Sequence, residues 1–284
     1  MITGRAIALA LLAAGLGLGT VSDWLPDHPP KKRGDRLVLV ADLHVHAFPG
    51  DGAIGPFNLG REARRRGLHA IALTNHNQVF TARFARWWSQ RWGGAIIFTG
   101  QEVTNPGHHI VALGIHEVVD WRLSPVDTVA AIHAQGGLAI AAHPDKAYWQ
   151  SFDRESLRAL DGVERRHPLI QTRPDARTEL EAFFERAREE RDRPLAAIGS
   201  SDFHTAAMLG SCRTFVLARA ASEAGILEAL REGRTTAHAE GDPLPPDAPP
   251  VHPPAPRPGG GLGWLGLLGL LLFAPRHRVA RDVV

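Results

Sequence analysis

Imidazole and carboxylate side chains recur in closely spaced pairs in this 284-residue chain. His44 and His46 are two positions apart, and Asp202 and His204 repeat that spacing far along the chain. Residues two apart on an extended strand point to the same side, so that each pair can bind one ion. Imidazoles and carboxylates without thiolates suit Zn²⁺, Mn²⁺ or Fe²⁺ better than Ca²⁺ or Mg²⁺. The sequence therefore predicts a divalent-metal centre.

Other residues of the same kinds follow or border further apolar runs of the sequence. They are His76, Glu102, His109 and His143. Glu102 is a candidate to bridge two ions, because a carboxylate offers two oxygens. Ions about 3.5–4 Å apart can bind a substrate oxyanion and lower the pKa of a shared water, which favours hydrolysis, with phosphate esters as the natural substrates. Redox chemistry on iron is the less favoured alternative, since it usually leaves a more open set of ligands.

The elements that must position these residues alternate between short apolar runs and helical stretches. The runs are RLVLVA, HAIALT, AIIFT, HIVALGI, LAIAA, GVE, LAAIGS and TFVLA, and the predicted helices include 59–66, 80–92, 126–135, 178–190 and 221–231. Continuous hydrophobicity over such short runs is typical of strands buried on both faces. Alternation of strand and helix predicts an α/β fold with a parallel sheet, open or closed into a barrel. Barrel active sites are assembled at the carboxyl ends of the strands, where the polar residues lie.

The composition excludes several classes of site. Cys212 is the single cysteine, so an intramolecular disulfide and a thiolate zinc site are both excluded. The formal net charge is +2, and the arginines are scattered along the sequence. Because clustering is what makes a basic nucleic-acid face, no stable nucleic-acid partner is expected.

A series of short motifs carries a resemblance to a known family. The segments DLHVH (42–46), GDG (50–52), TNHN (74–77), GQE (100–102), HP (143–144) and SDFH (201–204) resemble, in order and approximate spacing, the motifs of the PHP (polymerase and histidinol phosphatase) family. The late ILEALREGRTTA is similar to that family's closing helix. The resemblance implies a distorted seven-stranded, TIM-like β/α barrel and a metal-dependent hydrolase with two or three divalent ions (Zn, Mn or Fe).

The resemblance also implies roles for individual residues. The ligands of the first ion would be His44, His46, Glu102 and Asp202; of the second, Glu102, His109 and His143; of the third, Asp51, His76 and His204. The catalytic set would be His44, His46, Glu102, His143, Asp202 and His204. His108 is a rival to His109, and many members place a histidine near Asp51. Asp42 and Asn75 would position ligands without touching an ion, with Asp42 orienting the histidine pair.

Substrate contacts are predicted from basic residues that follow two of the strands. Lys146 lies just beyond His143, and Arg165 and Arg166 lie just beyond GVE, where each could donate to a phosphate. The alternative for each is an exposed basic residue on a loop.

The two ends of the chain differ from its middle. The expected organisation is a signal peptide or signal-anchor over 1–24, a metallohydrolase barrel over 36–240, a Pro- and Gly-rich linker over 241–260, a transmembrane or sorting segment over 261–275 and a basic tail over 276–284. GGGLGWLGLLGLLLFAP (259–275) is similar to a Gly-Gly sorting tail, so a C-terminal sorting protease is a possible partner, and a tail anchor is the alternative. The expected location is the cell envelope, with the barrel exported and held at the membrane.

Three functions remain open from the sequence. The first is a phosphoesterase that acts on a small phosphorylated metabolite or a short oligonucleotide. The second is the same metal centre hydrolysing a carbamate, ester or amide. The third is a non-catalytic, metal-binding envelope protein, which the near-complete set of predicted ligands disfavours.

Overall fold

The structure is a computed structural model that describes residues 28–249 except 206 and 207, together with positions 6, 7, 9–11 and 13. The chain divides into two compact units, of which Asp27–Pro254 contains every element named below. The predicted segments 261–275 and 276–284 lie outside the described residues, and so do positions 250–260 of the linker. Of the predicted segment 1–24, the structure describes only the helical positions named above. Among the residues described, no helix combines the length and apolar character needed to span a membrane.

One sheet of ten strands forms the framework of this unit. The strands are β1 (Lys31–Arg33), β2 (Arg36–Val45), β3 (Ala70–Leu73), β4 (Ile96–Asn105), β5 (His108–Leu113), β6 (Leu138–Ala141), β7 (Gly162–Arg166), β8 (Ala196–Gly199), β9 (Cys212–Ala218) and β10 (Thr235–Ala239). The helices are α1 (Pro56–Arg65), α2 (Phe80–Trp92), α3 (Pro125–His133), α4 (Arg154–Ala159), α5 (Leu169–Thr172), α6 (Ala176–Glu189) and α7 (Glu223–Arg231).

The sheet curves into a nearly closed barrel with the strand order β10-β9-β2-β3-β4-β5-β6-β7-β8. β2, β3 and β4 are parallel, as are β6, β7 and β8, whereas β5 is antiparallel to both of its neighbours. β9 is antiparallel to β2, and β10 is antiparallel to β9. The predicted α/β barrel is thus confirmed, and its described part has ten strands where the resemblance implied seven.

Side-chain hydroxyls close the barrel between β8 and the β9–β10 pair. The backbone N–H of Gly199 donates to Thr214 Oγ1 at 3.0 Å, and that hydroxyl donates to the Gly199 carbonyl at 2.8 Å. The N–H of Ala197 donates to Thr235 Oγ1 at 3.0 Å. A Cβ at Gly199 would lie 2.3 Å from the Arg213 carbonyl oxygen, so only glycine permits this approach.

Apolar side chains fill the barrel and the layers around it. One buried cluster draws on β2, β3, β4, β5, β6, β8, β9 and α7, so it occupies the barrel interior. A second cluster packs α3, α4 and α6 against the sheet, and a third packs α1 and α2 against β2–β4. Strands covered on both faces are continuous apolar runs in sequence, which is the pattern observed. The strand ends are therefore held rigidly, and the polar residues that follow them are fixed in place.

Candidate metal centre

Two histidines at the carboxyl end of β2 meet through their ring nitrogens. His44 and His46 are fully buried, and their Nε2 atoms lie 3.1 Å apart. Two carboxylates complete this first group. Asp202 Oδ1, beyond β8, lies 3.2 Å from each Nε2 atom, and Glu102 Oε2, on β4, lies 3.4 Å from each. Four side chains from three strands thus converge on one point.

Glu102 also takes part in a second group of donors. Its Oε1 atom lies 2.7 Å from His109 Nδ1 on β5 and 3.2 Å from His143 Nε2 beyond β6. The antiparallel pairing of β4 with β5 places Thr104 opposite His109 and so brings the histidine alongside Glu102. His108, the rival candidate, points elsewhere: its ring packs edge-on against Phe152 at 5.9 Å, and burial lowers its pKa to about 4.

Asp51 links three histidines into a third group. Its Oδ1 atom lies 3.2 Å from His46 Nδ1, and its Oδ2 atom lies 3.1 Å from His76 Nε2 and 3.0 Å from His204 Nε2. The side chain of Asp51 is 46% exposed, so this group lies at the mouth of the barrel. His46 is therefore shared by the first and third groups, as Glu102 is shared by the first and second.

The donor atoms are better arranged to ligate divalent ions than to form hydrogen bonds with one another. Glu102 Oε2, His109 Nδ1 and Asp202 Oδ1 are buried and have no partner in hydrogen-bond geometry, although each lies within about 3.5 Å of another donor. Unsatisfied buried polar atoms are costly, and they mark a site for an ion or water. Metal–ligand distances of about 2.0–2.2 Å place neighbouring donors roughly 3 Å apart, as here. The three groups thus have the chemistry of a site for divalent metals.

The close packing of opposite charges shifts the pKa values of the group members. Burial alone would lower the pKa of His44, but Asp202, Glu164 and Glu102 surround it and raise its pKa well above 6.5. Burial would raise the pKa of Glu102, yet the charge of His44 and the nearby imidazoles of His109 and His143 hold it well below 4.5. Without metal, these shifts favour the protonated form of His44 and the ionised form of Glu102.

Two members of the groups have backbone conformations that non-glycine residues rarely adopt. The φ angles of His143 and Asp202 are +28° and +46°. Residues with positive φ cost free energy and persist only where the surrounding structure enforces them. His143 lies two residues after the end of β6 and Asp202 three residues after the end of β8, where the chain turns away from the sheet at the barrel mouth.

Glu164 on β7 supports the centre and was not predicted. Its Oε1 atom lies 2.9 Å from His44 Nδ1 and also accepts from the Ser200 hydroxyl, and its Oε2 atom accepts from the backbone N–H of His143 at 2.6 Å. A carboxylate on the remote nitrogen of a ligating imidazole fixes its tautomer and orientation. The GVE run ends at this residue, so the rule that polar residues at strand ends are functional could have found it.

Asp42 has a different role from the one predicted. Its carboxylate accepts from the N–H and hydroxyl of Ser201 at 2.9 and 2.5 Å and from the N–H of Gly210 at 2.8 Å. Burial raises the pKa of Asp42 to about 6, against the effect of these hydrogen bonds. Asp42 therefore holds the loop that begins at Ser201 and carries Asp202, and Glu164 orients the imidazole instead.

Asn75 positions the segment that precedes Asp51. Its Oδ1 atom accepts from the N–H of Ala47 at 2.8 Å, and its Nδ2 atom donates to the carbonyls of Ala47 and Pro49 at 2.8 and 3.0 Å. Gly50 passes so close that a Cβ there would lie 2.1 Å from Asn75 Nδ2. The side chain thus contacts the third group only through the backbone that precedes Asp51.

The three cations predicted to bind substrate are directed to other partners. Arg165 binds Glu181 and lies over the Phe184 ring, and Arg166 binds Asp242 at 2.8 Å. Lys146 is 72% exposed and lies 3.8 Å from Glu179. Arg165 and Arg166 line a surface groove with α6 instead of the mouth of the centre. The structure thus does not place these cations at the candidate site.

A cavity of about 400 Å³ adjoins the first and third groups. It is bordered by Asp202 and His204 together with His167, Leu169 and Met208. His167, which had no motif around it, has its Nε2 atom 3.3 Å from Asp202 Oδ2. Tyr148, also not predicted, has its ring 4.4 Å from that of His109. The described lining contains neither lysine nor arginine, and its carboxylates are those of Asp202 and Glu240.

Metal should stabilise the protein more at pH 8.0 than at pH 5.5. The raised pKa values of His44, His46 and His143 make the metal-free centre most stable below about pH 6.5, and that contribution is lost as the pH rises through those values. Ligation requires neutral imidazole, so metal competes with protons and binds more tightly as the pH rises. Thermal unfolding with Mn²⁺ and with a chelator, at both pH values, would check this. Equal metal-induced shifts would contradict it.

The comparisons with known proteins agree with this geometry. Residues 185–235 match a family described as PHP-associated. The uncharacterized protein MJ1587 of Methanocaldococcus jannaschii is 31% identical over 139 residues, which cover 44% of this chain and 80% of that protein. A two-domain protein from Bacteroides vulgatus containing a predicted PHP-like metal-dependent phosphoesterase is similar with a TM-score of 0.56 and 22% identity, over 76% of this chain and 69% of that one. PsfC from Pseudomonas syringae is similar with a TM-score of 0.54 and 16% identity, and the match covers 82% of this chain and 97% of that one.

A barrel whose strand ends carry overlapping groups of imidazoles and carboxylates is the framework of a metal-dependent hydrolase. The likeness to the two solved structures establishes the barrel fold. The sequence matches show that the chain is related to MJ1587 and, over residues 185–235, to the PHP-associated family. The PHP-associated match of residues 185–235 and the shared barrel fold support a hydrolase of the PHP superfamily.

Proposed function

We propose that the protein is a phosphoesterase that acts on a small phosphorylated metabolite or a short oligonucleotide. The observation that carries the proposal is the sharing of donors, because Glu102 joins the first group to the second and His46 joins the first to the third. Divalent ions held side by side there would polarise phosphoryl oxygens and lower the pKa of a water to near neutrality. A phosphoester, with several oxygens on one centre, is the substrate that such an arrangement suits.

The residues of the chain prepare the site for this reaction. Glu164 holds His44 in one orientation, Asn75 holds the loop before Asp51, and Asp42 holds the loop before Asp202. Fixed groups of this kind need no reorganisation during the reaction. The cavity beside Asp202 and His204 has room for the part of the substrate that leaves with the oxygen.

The full-length protein should release p-nitrophenol from p-nitrophenyl phosphate or bis(p-nitrophenyl) phosphate only when loaded with Mn²⁺, Zn²⁺ or Fe²⁺. Removing the metal should lower the rate at least about 100-fold, because the ions are expected to supply the charge stabilisation. His143→Ala should lower both activity and bound metal, whereas His116→Ala, which removes an exposed imidazole outside the groups, should change neither. Cleavage of p-nitrophenyl acetate alone, or activity that survives chelation, would contradict the proposal.

A further inference from the structure

An exposed aromatic cluster lies on the outside of the barrel. This aromatic face consists of Phe57 on α1 and Phe84, Trp87, Trp88 and Trp92 on α2. The Trp88 and Trp92 rings stack at 4.0 Å, and Phe57 meets Trp88 edge-on at 4.7 Å. About half of the surface of Phe57, Trp87 and Trp92 is exposed, at 49, 51 and 47%. Single exposed aromatics need no explanation, but a contiguous group marks a surface that contacts a partner.

Arginines occur along the whole sequence, and residues 56–92, which include these two helices, are especially rich in them. Residues 56–92 contain seven arginines and one acidic residue, Glu62, which is buried, so the segment carries +6 in a chain of net charge +2. Arg91 lies 5.7 Å from the Trp92 ring centroid. Arg83 binds Glu117 and Arg86 binds Glu223, each at 2.7 Å, and Glu62 pairs with Arg66 at 2.9 Å and Arg65 at 3.8 Å, so these four cations are partly neutralised. The surface as a whole combines tryptophan with arginine.

Both ends of the described chain lie at the end of the barrel where α2 finishes. The His28 carbonyl lies 2.9 Å from His69 Nε2, and the His69 carbonyl accepts from the N–H of Ile96, which opens β4 shortly after Trp92. The carbonyl of Ala248 accepts from Lys31 Nζ at 3.0 Å, beside β1. His28 and Ala248, near the two limits of the described range 28–249, therefore lie at this end, opposite the donor groups.

We infer that the aromatic face docks on the surface of an anionic phospholipid bilayer. Tryptophan rings settle at the headgroup level, where one edge is apolar and the other hydrated. Arginines beside them are attracted to the negative lipid surface. None of the five aromatic residues belongs to a donor group, so docking of this face leaves the metal centre uncovered.

Single-site labelling tests this orientation in the full-length protein. Cys212 is the only cysteine, is buried, and has a pKa that burial raises to about 12, so it does not compete for a thiol-reactive fluorophore. A label on Q90C, exposed on α2, is compared with a label on T178C, exposed on α6. Both proteins are reconstituted in vesicles of phosphatidylcholine with phosphatidylglycerol, in which part of the lipid is brominated. The rest of the chain is common to both proteins, so only the position of each label differs.

We expect brominated lipid to quench the Q90C label at least twofold more than the T178C label, and less so in pure phosphatidylcholine. The Trp87→Ala/Trp92→Ala variant should abolish the difference while its bound metal, measured by elemental analysis, shows that the barrel is folded. Equal quenching of the two labels would overturn the inference. A change in the fluorescence of the Q90C label that depends on protein concentration without lipid would overturn the inference in favour of self-association. A change caused by added single-stranded DNA but not by vesicles would overturn it in favour of nucleic-acid binding.

Discussion

Glu102→Gln is expected to cause the largest loss of function of any single conservative substitution in the chain. Glu102 is 1% exposed, and its two oxygens face different groups: Oε1 lies near His109 and His143, and Oε2 lies near His44 and His46. Glutamine has one acceptor oxygen and no charge, so it can serve only one group. Bound metal should fall by more than one equivalent, and hydrolysis should fall by more than the roughly 100-fold typical of an outer partner.

Glu179→Gln is the matched control for this substitution. Glu179 is also buried, but it binds Arg173 at 3.0 Å and is not a member of any donor group. We expect it to lower thermal stability while leaving the metal stoichiometry unchanged. Metal titration by calorimetry and elemental analysis would separate the two variants. Full metal content in Glu102→Gln would show that the carboxylate does not bridge the groups.

The donor residues were predictable because their position is set locally. His44, His46, Asp202 and His204 stand where apolar runs end, and the carboxyl ends of parallel strands necessarily meet at one rim of a barrel. The sequence alone therefore suffices to bring such residues together without knowledge of the loops. The structure groups them, and their ligation of metal stays a prediction.

Glu164 was missed because its importance depends on a partner 120 positions away. A lone glutamate after a short apolar run has no spacing that marks it as functional, whereas two histidines two positions apart do. Only the pairing of β7 with β8 and the register of the barrel bring its carboxylate beneath His44. Contacts of this kind follow from closure of the sheet, which the order of elements does not specify.

The contacts of the three predicted cations could not be read from the sequence for a related reason. Long side chains reach several ångströms in many directions, so their position in sequence says little about where the charge lies. Arg165 binds a carboxylate on α6, and Arg166 binds one beyond β10. Both contacts depend on tertiary packing. The strand count differs because β1 and β10 match none of the apolar runs: both are polar and pair antiparallel with their neighbours, β10 only after the intervening helix α7.

Glu164→Gln should weaken metal binding without removing a donor atom. The carboxylate serves three donors at once, His44 Nδ1, the N–H of His143 and the Ser200 hydroxyl, and it faces donors on both oxygens. Glutamine would turn its amide group toward one of them, leaving either His44 or His143 unsupported. We expect affinity for Mn²⁺ to fall about 10–100-fold, the usual cost of losing such an outer partner.

Comparing the Mn²⁺ affinity of Glu164→Gln with that of Ser200→Ala shows whether Glu164 acts through His44. Ser200→Ala removes one of the three hydrogen bonds and leaves the carboxylate facing His44 and His143, so its loss of affinity should be clearly smaller than that of Glu164→Gln. Burial would raise the pKa of Glu164, but the charge of His44 and their contact lower it, so the carboxylate is ionised throughout the neutral range. Affinity lost equally in both variants would point to loop packing instead of imidazole orientation. If neither variant binds Mn²⁺ less tightly than the parent protein, Glu164 is a structural residue of the barrel and the tautomer of His44 is set by the metal itself.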